Sequence, residues 1–252
     1  MNFLSNIPQV TKNLLILNVL MFILTWVLWN KGIDLNSLLG ASYFTSPNFE
    51  PYQIVTYMFM HDKTGLQHIL INMFMLVMFG AFLEKQIGAK KYFILYVSAG
   101  LGALVLYNAI GIYEIMQVKK ALVNMNVDPK IYHEQIKKMD DYILKFNNSQ
   151  IDFYGIQYQL LCKSKMVGAS GALFGILAGF AVLFPNTELM LLFPPIPIKA
   201  KYLIGAYILF EIYSSFLMAE GDNVAHLAHV GGALVGIVMI LIWRKYDRQN
   251  FY

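Results

Sequence analysis

The groups most able to do chemistry in this chain are one serine and a few histidines, each set in apolar surroundings. Ser170 lies in the stretch Gly168-Ala169-Ser170-Gly171, which opens an apolar run that stops at Pro185. Such a serine is either a packing residue, whose hydroxyl bonds to a carbonyl one turn earlier, or a nucleophile. Glycine- and serine-rich stretches are typical of close helix contacts in membranes, so Ser170 taken alone favours the packing role.

Imidazole and amide side chains on other apolar runs change that balance. His68 and Asn72 are four residues apart, which places them on one face of a helix, and His226 and His229 open a later run. A serine hydroxyl needs an adjacent base, and imidazole titrates near neutral pH, so His229 can activate Ser170. Acyl transfer also needs donors for the oxyanion, which the His68 ring, the Asn72 amide and a backbone N–H can supply.

The acidic residues leave the orientation of the base open. No acid within an apolar run has an evident position beside His229, so the pattern predicts a Ser–His dyad. Glu211 falls near the middle of the fifth run, where an acid normally faces a partner. We expect Glu211 either to bond a neighbouring helix or to contact a substrate.

Two other functions fit the same polar residues. His68, His226 and His229 are enough histidines for a zinc site, but the chain has no His-Glu-x-x-His, and His226 and His229 are not four residues apart. The polar groups can also simply hold together a transporter or a structural bundle, although a transporter favours two similar halves, which the sequence lacks. Zinc and structural packing remain alternatives to catalysis.

The elements that must position these groups are membrane helices. The composition is 58% hydrophobic and 13% charged, against about 25% charged residues in soluble domains. Each spanning helix needs about 20 apolar residues. Six runs are candidates, at roughly 13–30, 66–83, 92–112, 168–185, 202–218 and 226–243. These runs predict an all-α polytopic membrane protein with a single domain over residues 1–252, and the first run, which lacks an A-x-A-like cleavage site, is expected to be a retained span.

Charge and cysteine content exclude other classes. The net charge is +4, but the basic residues sit mostly at the ends of apolar runs, and no basic stripe interleaved with aromatics predicts a nucleic-acid partner. Cys162 is the one cysteine, so an intrachain disulfide framework or a cysteine zinc site is excluded. The expected surroundings are therefore membrane lipid.

Basic residues also predict the orientation. The short segments next to the apolar runs carry Lys12, Lys85, Lys90, Lys91, Lys199, Lys201, Arg244, Lys245 and Arg248. With six spans these fall on one side, so both termini are predicted to be cytoplasmic. Spans two, four and six then enter from the other side, which places their polar side chains within about 10 Å of one depth.

The external segments are predicted to be structured. Segment 31–65 is rich in aromatic and apolar residues, so we expect an amphipathic first external loop at the membrane interface. Segment 113–167 is longer than an unstructured connection normally is. Helical spacing of its apolar residues predicts two short helices, one through Ile115–Val123 and one through Ile136–Ile143.

Glycine spacing indicates which spans meet. Gly171, Gly175 and Gly179 recur every fourth residue on span four, and Gly232 and Gly236 share a face with His229 on span six. Small residues at this spacing let two helix backbones approach closely. Spans four and six are therefore predicted to bring Ser170 and His229 within hydrogen-bond reach.

Three motifs in order resemble the rhomboid family of intramembrane serine proteases. They are His68 with Asn72, Gly168-Ala169-Ser170-Gly171, and Ala228-His229-Val230-Gly231-Gly232. Two segments that flank His68 and Asn72 also resemble the family, Met58-Phe59-Met60-His61 and Gly80-Ala81-Phe82-Leu83-Glu84. The resemblance covers about residues 50–112 and 166–243. It implies a six-helix rhomboid-like bundle with a helical insert between spans three and four.

The same resemblance implies the roles and the substrates. Ser170 is then the nucleophile, His229 the base, and His68 and Asn72 the oxyanion donors, with Gly168 and His226 as accessory residues. His226 is the alternative base, but His229 is preferred because Gly231-Gly232 follow it at the distance seen in the family. The family needs no metal or cofactor and cleaves transmembrane segments of other proteins, near the non-cytoplasmic surface. The expected location is a bacterial inner membrane, while the natural substrate and the oligomeric state are left open.

Two departures and one rival accompany the resemblance. Many relatives have Trp-Arg in the first external loop where this chain has Tyr52-Gln53, and the insert 113–167 is unusually long. The rival function is a non-catalytic rhomboid-like protein that binds transmembrane helices. Such relatives typically lack the serine or the histidine, and this chain retains both.

Overall fold

The described part of the chain is built almost entirely from helices. A computed structural model describes residues 3–62, 65–138, 144, 146, 148–190, 195–217 and 222–246. The helices are α1 (Gln9–Trp29), α2 (Leu35–Leu39), α3 (Gln53–Thr56), α4 (Leu66–Met75), α5 (Ala81–Ile87), α6 (Ala89–Asn124), α7 (His133–Lys137), α8 (Ser149–Lys163), α9 (Ser170–Leu183), α10 (Ala200–Leu217) and α11 (Asp222–Tyr246). Short 3-10 turns cover Phe3–Asn6, Tyr57–Phe59 and Pro129–Tyr132.

Four helical segments among the described residues are long and apolar enough to cross a membrane. They are Gln9–Trp29, Leu66–Ile87, Ala89–Asn124 and His226–Tyr246. The second of these joins α4 and α5 through a π-helical turn at Leu76–Gly80. Helix α9 is also apolar but has only 14 residues. The prediction of a helical polytopic membrane protein is confirmed, with one small addition, an antiparallel hairpin of β1 (Glu188–Met190) and β2 (Pro197–Lys199) between α9 and α10.

Helix α9 is the centre of the bundle. Every residue from Gly171 to Phe180 is buried, and α9 packs against α6, α10 and α11. A Cβ atom added at Gly232 would lie 1.9 Å from the carbonyl oxygen of Gly171, and one added at Gly236 would lie 2.2 Å from that of Gly175. The predicted close approach of α9 and α11 through their glycine faces is thus confirmed.

Helix α6 is much longer than the sequence predicts. Its 36 residues extend about 54 Å, against a hydrocarbon thickness of about 30 Å. The prediction of a separate short helix through Ile115–Val123 is wrong, because Ile115, Val118 and Leu122 form the buried face of the same helix. No proline interrupts α6, and Gly111 packs so closely on the Tyr43 ring that an added Cβ would lie 1.9 Å from it.

The rest of the insert folds back onto the first external loop. Part of the second predicted helix is present as α7. Helix α8 follows it and was not predicted from the sequence. Ser46 donates its hydroxyl to the Cys162 carbonyl, and Asn48 donates its amide to the Ile136 carbonyl. The predictions for 139–143, 219–221 and Arg248 lie outside the described residues.

The first external loop is held together by hydrogen bonds of the Gln53 side chain. Gln53 is buried; its amide oxygen accepts the Ser42 N–H, and its amide nitrogen donates to the carbonyls of Leu38 and Asn48. Tyr52, the other residue of the altered pair, is half-exposed. In this loop, Tyr57 and Met58 are buried while Phe44 and Val55 are exposed.

The buried acid Glu84 of α5 forms hydrogen bonds with the first turn of α1. The carboxylate of Glu84 accepts hydrogen bonds from the Val10 N–H (2.9 Å), the Thr11 N–H (2.7 Å) and the Thr11 hydroxyl (2.8 Å). The first N–H groups of a helix have no partner within the helix. Glu84 therefore serves as the cap for α1 from a distant part of the chain.

Candidate active site

Ser170 is the first residue of α9, and the turn before it depends on glycine. Gly168 has φ +127°, a conformation that side-chain-bearing residues rarely adopt. Its N–H donates to the Tyr57 carbonyl at 3.0 Å. A Cβ atom at this position would lie 3.0 Å from His68 Nε2 and 3.4 Å from Ser170 Oγ. The bare backbone of Gly168 therefore lets the hydroxyl and the His68 ring share one space.

His229 lies in hydrogen-bond contact with that hydroxyl. The distance from His229 Nε2 to Ser170 Oγ is 2.8 Å, so α9 and α11 bring together the two residues that the sequence pairs. The His229 ring stacks on Phe174, with centroids 4.4 Å apart and planes inclined by 6°. Phe174 was missed by the sequence analysis, although its place one turn after Ser170 on the same helix face is the signal that would have found it.

The opposite nitrogen of His229 meets an acid. The Nδ1 atom of His229 lies 2.8 Å from Glu211 Oε2, and the Nδ1 atom of His226 lies 2.7 Å from the same oxygen. Glu211 is buried on α10 and bonds the neighbouring helix α11, which is one of the two expectations for it. The expectation that no acid orients His229 is wrong, because periodicity does not show which face of α10 turns toward α11.

These three side chains also bear on the zinc alternative. Among the described residues, the His, Cys, Asp and Glu atoms close enough to share a metal ion belong to Glu211, His226 and His229. His68 lies outside this group, so the three-histidine set does not assemble. Both Nδ1 atoms already have the Glu211 carboxylate oxygen Oε2 as a partner.

His68 faces the same space from α4. Its Nδ1 atom accepts the Asp62 N–H at 3.4 Å, so the neutral ring carries its proton on Nε2, the atom that lies beside Gly168 and Ser170. The His61 ring packs edge-on against His68, with centroids 5.1 Å apart. Burial lowers the pKa of His61 to about 4, so the ring that packs on His68 is neutral at pH 7.

Asn72 is braced within its own helix. Its amide nitrogen donates to the His68 carbonyl at 2.7 Å, its amide oxygen has no protein partner, and the residue is buried. The bond joins residues one helical turn apart on α4. The described geometry therefore places Asn72 next to His68, with one amide hydrogen still available.

A small cavity adjoins the serine. It has a volume of about 150 Å³ and is lined by Tyr57, His68, Ala103, Met166, Val167, Gly168, Ser170, Gly171, Ala228 and His229. Four of these, Ala103, Gly168, Gly171 and Ala228, are alanine or glycine. A larger cleft of about 450 Å³ lies between the end of α6 and α8, away from these groups. The cavity beside Ser170 has room for a small side chain next to the hydroxyl.

Comparison with known proteins identifies the family of the chain. A family model described as the Rhomboid domain matches residues 48–116 and 144–246, which together are more than half of the chain. The chain is also 25% identical over 201 residues to Rhomboid protein 1, mitochondrial, of Saccharomyces cerevisiae, in an alignment that covers 80% of this chain and 43% of the yeast protein. The chain thus spans less than half the length of that relative. The chain is a member of the rhomboid family.

Proposed function

We propose that the chain is an intramembrane serine endopeptidase that cleaves transmembrane segments of other membrane proteins. The observation that carries the proposal is the 2.8 Å contact between Ser170 Oγ and His229 Nε2, inside a bundle of the rhomboid family. A base at this distance is what a serine hydroxyl needs to become a nucleophile.

The proposed reaction uses each group in turn. His229 Nε2 takes the Ser170 proton as Oγ bonds to the scissile carbonyl carbon, and the carbonyl oxygen becomes an oxyanion. His229 then gives that proton to the departing amide nitrogen as the C–N bond breaks. Water attacks the remaining ester, its proton passes through His229 to Ser170 Oγ, and the carboxylic acid is released. One water is consumed per peptide bond, without a metal or cofactor.

Three donors support the charge that develops on the oxyanion. His68 carries a proton on Nε2 and faces the cavity, and the backbone N–H of Ser170 lies in the first turn of α9, where N–H groups lack helical partners. The positive end of the helix dipole adds to both. The remaining amide hydrogen of Asn72 is the third donor in this proposal. Losing one such donor costs about 10²–10³-fold in rate.

The cavity supports a preference for a small residue at the cleaved bond. Its volume is about 150 Å³, and two of its small wall residues, Ala103 and Gly171, pack closely on each other: an added Cβ at Gly171 would lie 2.4 Å from Ala103 Cβ. We propose that alanine, glycine or serine precedes the cleaved bond. A library of single-span peptides that varies this position tests the preference.

The proposed placement has six spans, in the plasma membrane of a bacterium, with both termini cytoplasmic. Helices α9 and α10 are the additional spans, and α9 can be short because it is buried among other helices. The site then opens to the non-cytoplasmic side. In a Cys162→Ser background, an impermeant maleimide should label Lys130→Cys on intact cells, and Lys90→Cys only after permeabilisation. The reverse pattern would invert the orientation.

Labelling with a fluorophosphonate probe tests the nucleophile. The purified chain in detergent should be labelled, while Ser170→Ala and His229→Ala should not be. Ser215→Ala is the matched control, because Ser215 is also buried in a membrane helix but bonds the Ile212 carbonyl of its own helix. Equal labelling of the parent and Ser170→Ala would contradict the assignment of the nucleophile. Absence of labelling in a folded parent would favour the helix-binding relative.

A further inference from the structure

We propose that Glu211 is a positioning residue for His229, so that the working group is a Glu–His–Ser triad, with His226 as a second brace on the same carboxylate. The inference rests on the function proposed above and goes beyond the Ser–His pair that the sequence predicts. It starts from one oxygen, Glu211 Oε2, which lies 2.8 Å from Nδ1 of His229 and 2.7 Å from Nδ1 of His226.

The first step concerns the proton on His229. A neutral imidazole has one N–H and one lone pair, and a carboxylate oxygen only accepts. The contact to Glu211 therefore places the proton of His229 on Nδ1. The lone pair is then on Nε2, which faces the Ser170 hydroxyl at 2.8 Å. With the other tautomer, Nε2 would carry a hydrogen and could not take the serine proton.

The second step concerns charge. When His229 takes the serine proton it becomes an imidazolium, and a carboxylate in contact with Nδ1 stabilises that cation. Glu211 is only 4% exposed, and electrostatic interactions are stronger in such a setting than in water. A purely structural acid that bonded α11 through His226 alone would not need to touch His229.

The third step concerns His226. A buried carboxylate is costly unless it is well hydrogen-bonded, and the His226 N–H supplies a second bond to Oε2. The ring planes of His226 and His229 are nearly perpendicular, at 88°, so the two N–H groups reach the oxygen from different directions. Together with the Phe174 ring on one face of His229, this arrangement restricts rotation of both the carboxylate and the imidazole.

The distances favour hydrogen bonds over a metal ion in this cluster. Zinc binds nitrogen and oxygen ligands at about 2.0–2.1 Å in a tetrahedron, which separates two ligand atoms by roughly 3.3 Å. Both N···O separations here are shorter, at 2.7 and 2.8 Å. Such values are typical of N–H bonds to an ionised carboxylate.

The tautomer can be measured in the unmodified protein. We expect ¹⁵N NMR of the histidine-labelled chain in micelles to show His229 with a proton on Nδ1 and a bare Nε2, with assignment by comparison with His229→Ala and His226→Phe. A His229 ring protonated on Nε2 at neutral pH would overturn the proposal. This readout does not depend on how well any Glu211 variant folds.

The rate constant of serine modification measures the consequence. The fluorophosphonate probe yields a first-order rate and an apparent dissociation constant. Glu211→Gln should lower the rate by roughly 10²–10⁴-fold, because loss of the acid in a Ser–His–Asp triad costs about 10⁴ through the wrong tautomer. The dissociation constant should not change. His226→Phe should lower the rate by less than Glu211→Gln does.

The chain offers a matched control. Glu84 is another buried acid with several hydrogen bonds, at the far end of the bundle. Glu84→Gln should reduce thermal stability but leave the rate per folded molecule unchanged. An unchanged rate in folded Glu211→Gln overturns the triad and leaves the endopeptidase proposal intact. Labelling that persists in Ser170→Ala would instead overturn the proposed function itself.

Discussion

At the residue scale, the turn before α9 sets the surroundings of the Ser170 hydroxyl. Gly168 is held with φ +127° by its bond to the Tyr57 carbonyl, and its missing side chain leaves room for His68 beside Ser170. This position combines two demands, a left-handed backbone and close approach to an imidazole. Glycine satisfies both, since it has no Cβ atom.

We therefore expect Gly168→Ala to slow fluorophosphonate labelling of Ser170 by about 10²-fold, because a displacement of about 1 Å in a reacting geometry costs that much. Gly88→Ala is the control. Gly88 also has a positive φ, +83°, but an added Cβ would meet no atom within 4 Å. Both variants should lose stability through backbone strain, and only Gly168→Ala should lose reactivity. Equal labelling rates would show that the close approach to His68 is unimportant.

At the element scale, the glycine faces of α9 and α11 set the distance between the serine and the histidine. The two helices touch backbone to backbone at Gly171 and Gly232, and again at Gly175 and Gly236. Ser170 on α9 and His229 on α11 lie beside this contact, so the close approach of the two backbones brings their side chains together. A larger residue at the contact would separate the helices and the two functional groups at once.

Gly232→Ala should destabilise the protein by about 1–3 kcal/mol, the usual cost of overpacking a core, because its Cβ would lie 1.9 Å from the Gly171 carbonyl oxygen. Gly205→Ala on α10 is the matched substitution, with no atom within 4 Å of the new Cβ. It should be neutral or stabilising by roughly 0.5–1 kcal/mol. Thermal unfolding in detergent measures both, and similar effects of the two changes would argue against tight α9–α11 packing.

At the scale of the whole molecule, hydrogen bonds join the insert to the first external loop next to Ser170. Met166 pairs with Ala41 through two backbone hydrogen bonds of 2.8 and 2.9 Å. Lys165 donates to the Ser42 hydroxyl at 2.5 Å. The segment that leads into Ser170 is therefore fastened to the loop that precedes His68. The insert reaches the site through Met166 and Val167, which line the cavity.

Lys165, which links the insert to the loop, predicts that the free energy of unfolding depends on pH. Burial lowers the pKa of Lys165 to about 8, although Asp34 and Glu50 act in the opposite direction; an unfolded chain keeps a value of about 10.4. Below pH 8 both states are charged. Between about pH 8 and 10.4 the unfolded state holds more protons, so the free energy of unfolding rises with pH.

Lys165→Met should remove that rise, whereas the substitution of exposed Lys138 by Met should retain it. Unfolding curves of the three proteins between pH 7 and 10.5 make the comparison, since other titrating groups are common to all of them. If the difference in free energy of unfolding between the parent and Lys165→Met did not change over this pH range, the burial of the Lys165 ammonium would be contradicted.

The sequence by itself determined the class of the protein and the residues that we propose to react. Apolar runs predict membrane helices because the backbone must satisfy its own hydrogen bonds in lipid, and the motifs at His68, Ser170 and His229 indicate acyl transfer. The glycine spacing predicted which helices touch, because small residues at one face leave one surface for close approach. These signals are local, within one helix or one motif.

Only the tertiary structure decided the partners that come from distant segments. Glu211 meets His229 because α10 is rotated to face α11, and neither hydrophobic periodicity nor spacing encodes that rotation when most faces of a membrane helix are apolar. For the same reason the extension of α6 to Asn124 and its packing on Tyr43 could not be read from residue spacing. The contacts around the proposed base therefore depend on how the helices pack, whereas the residues proposed to react are visible in the sequence.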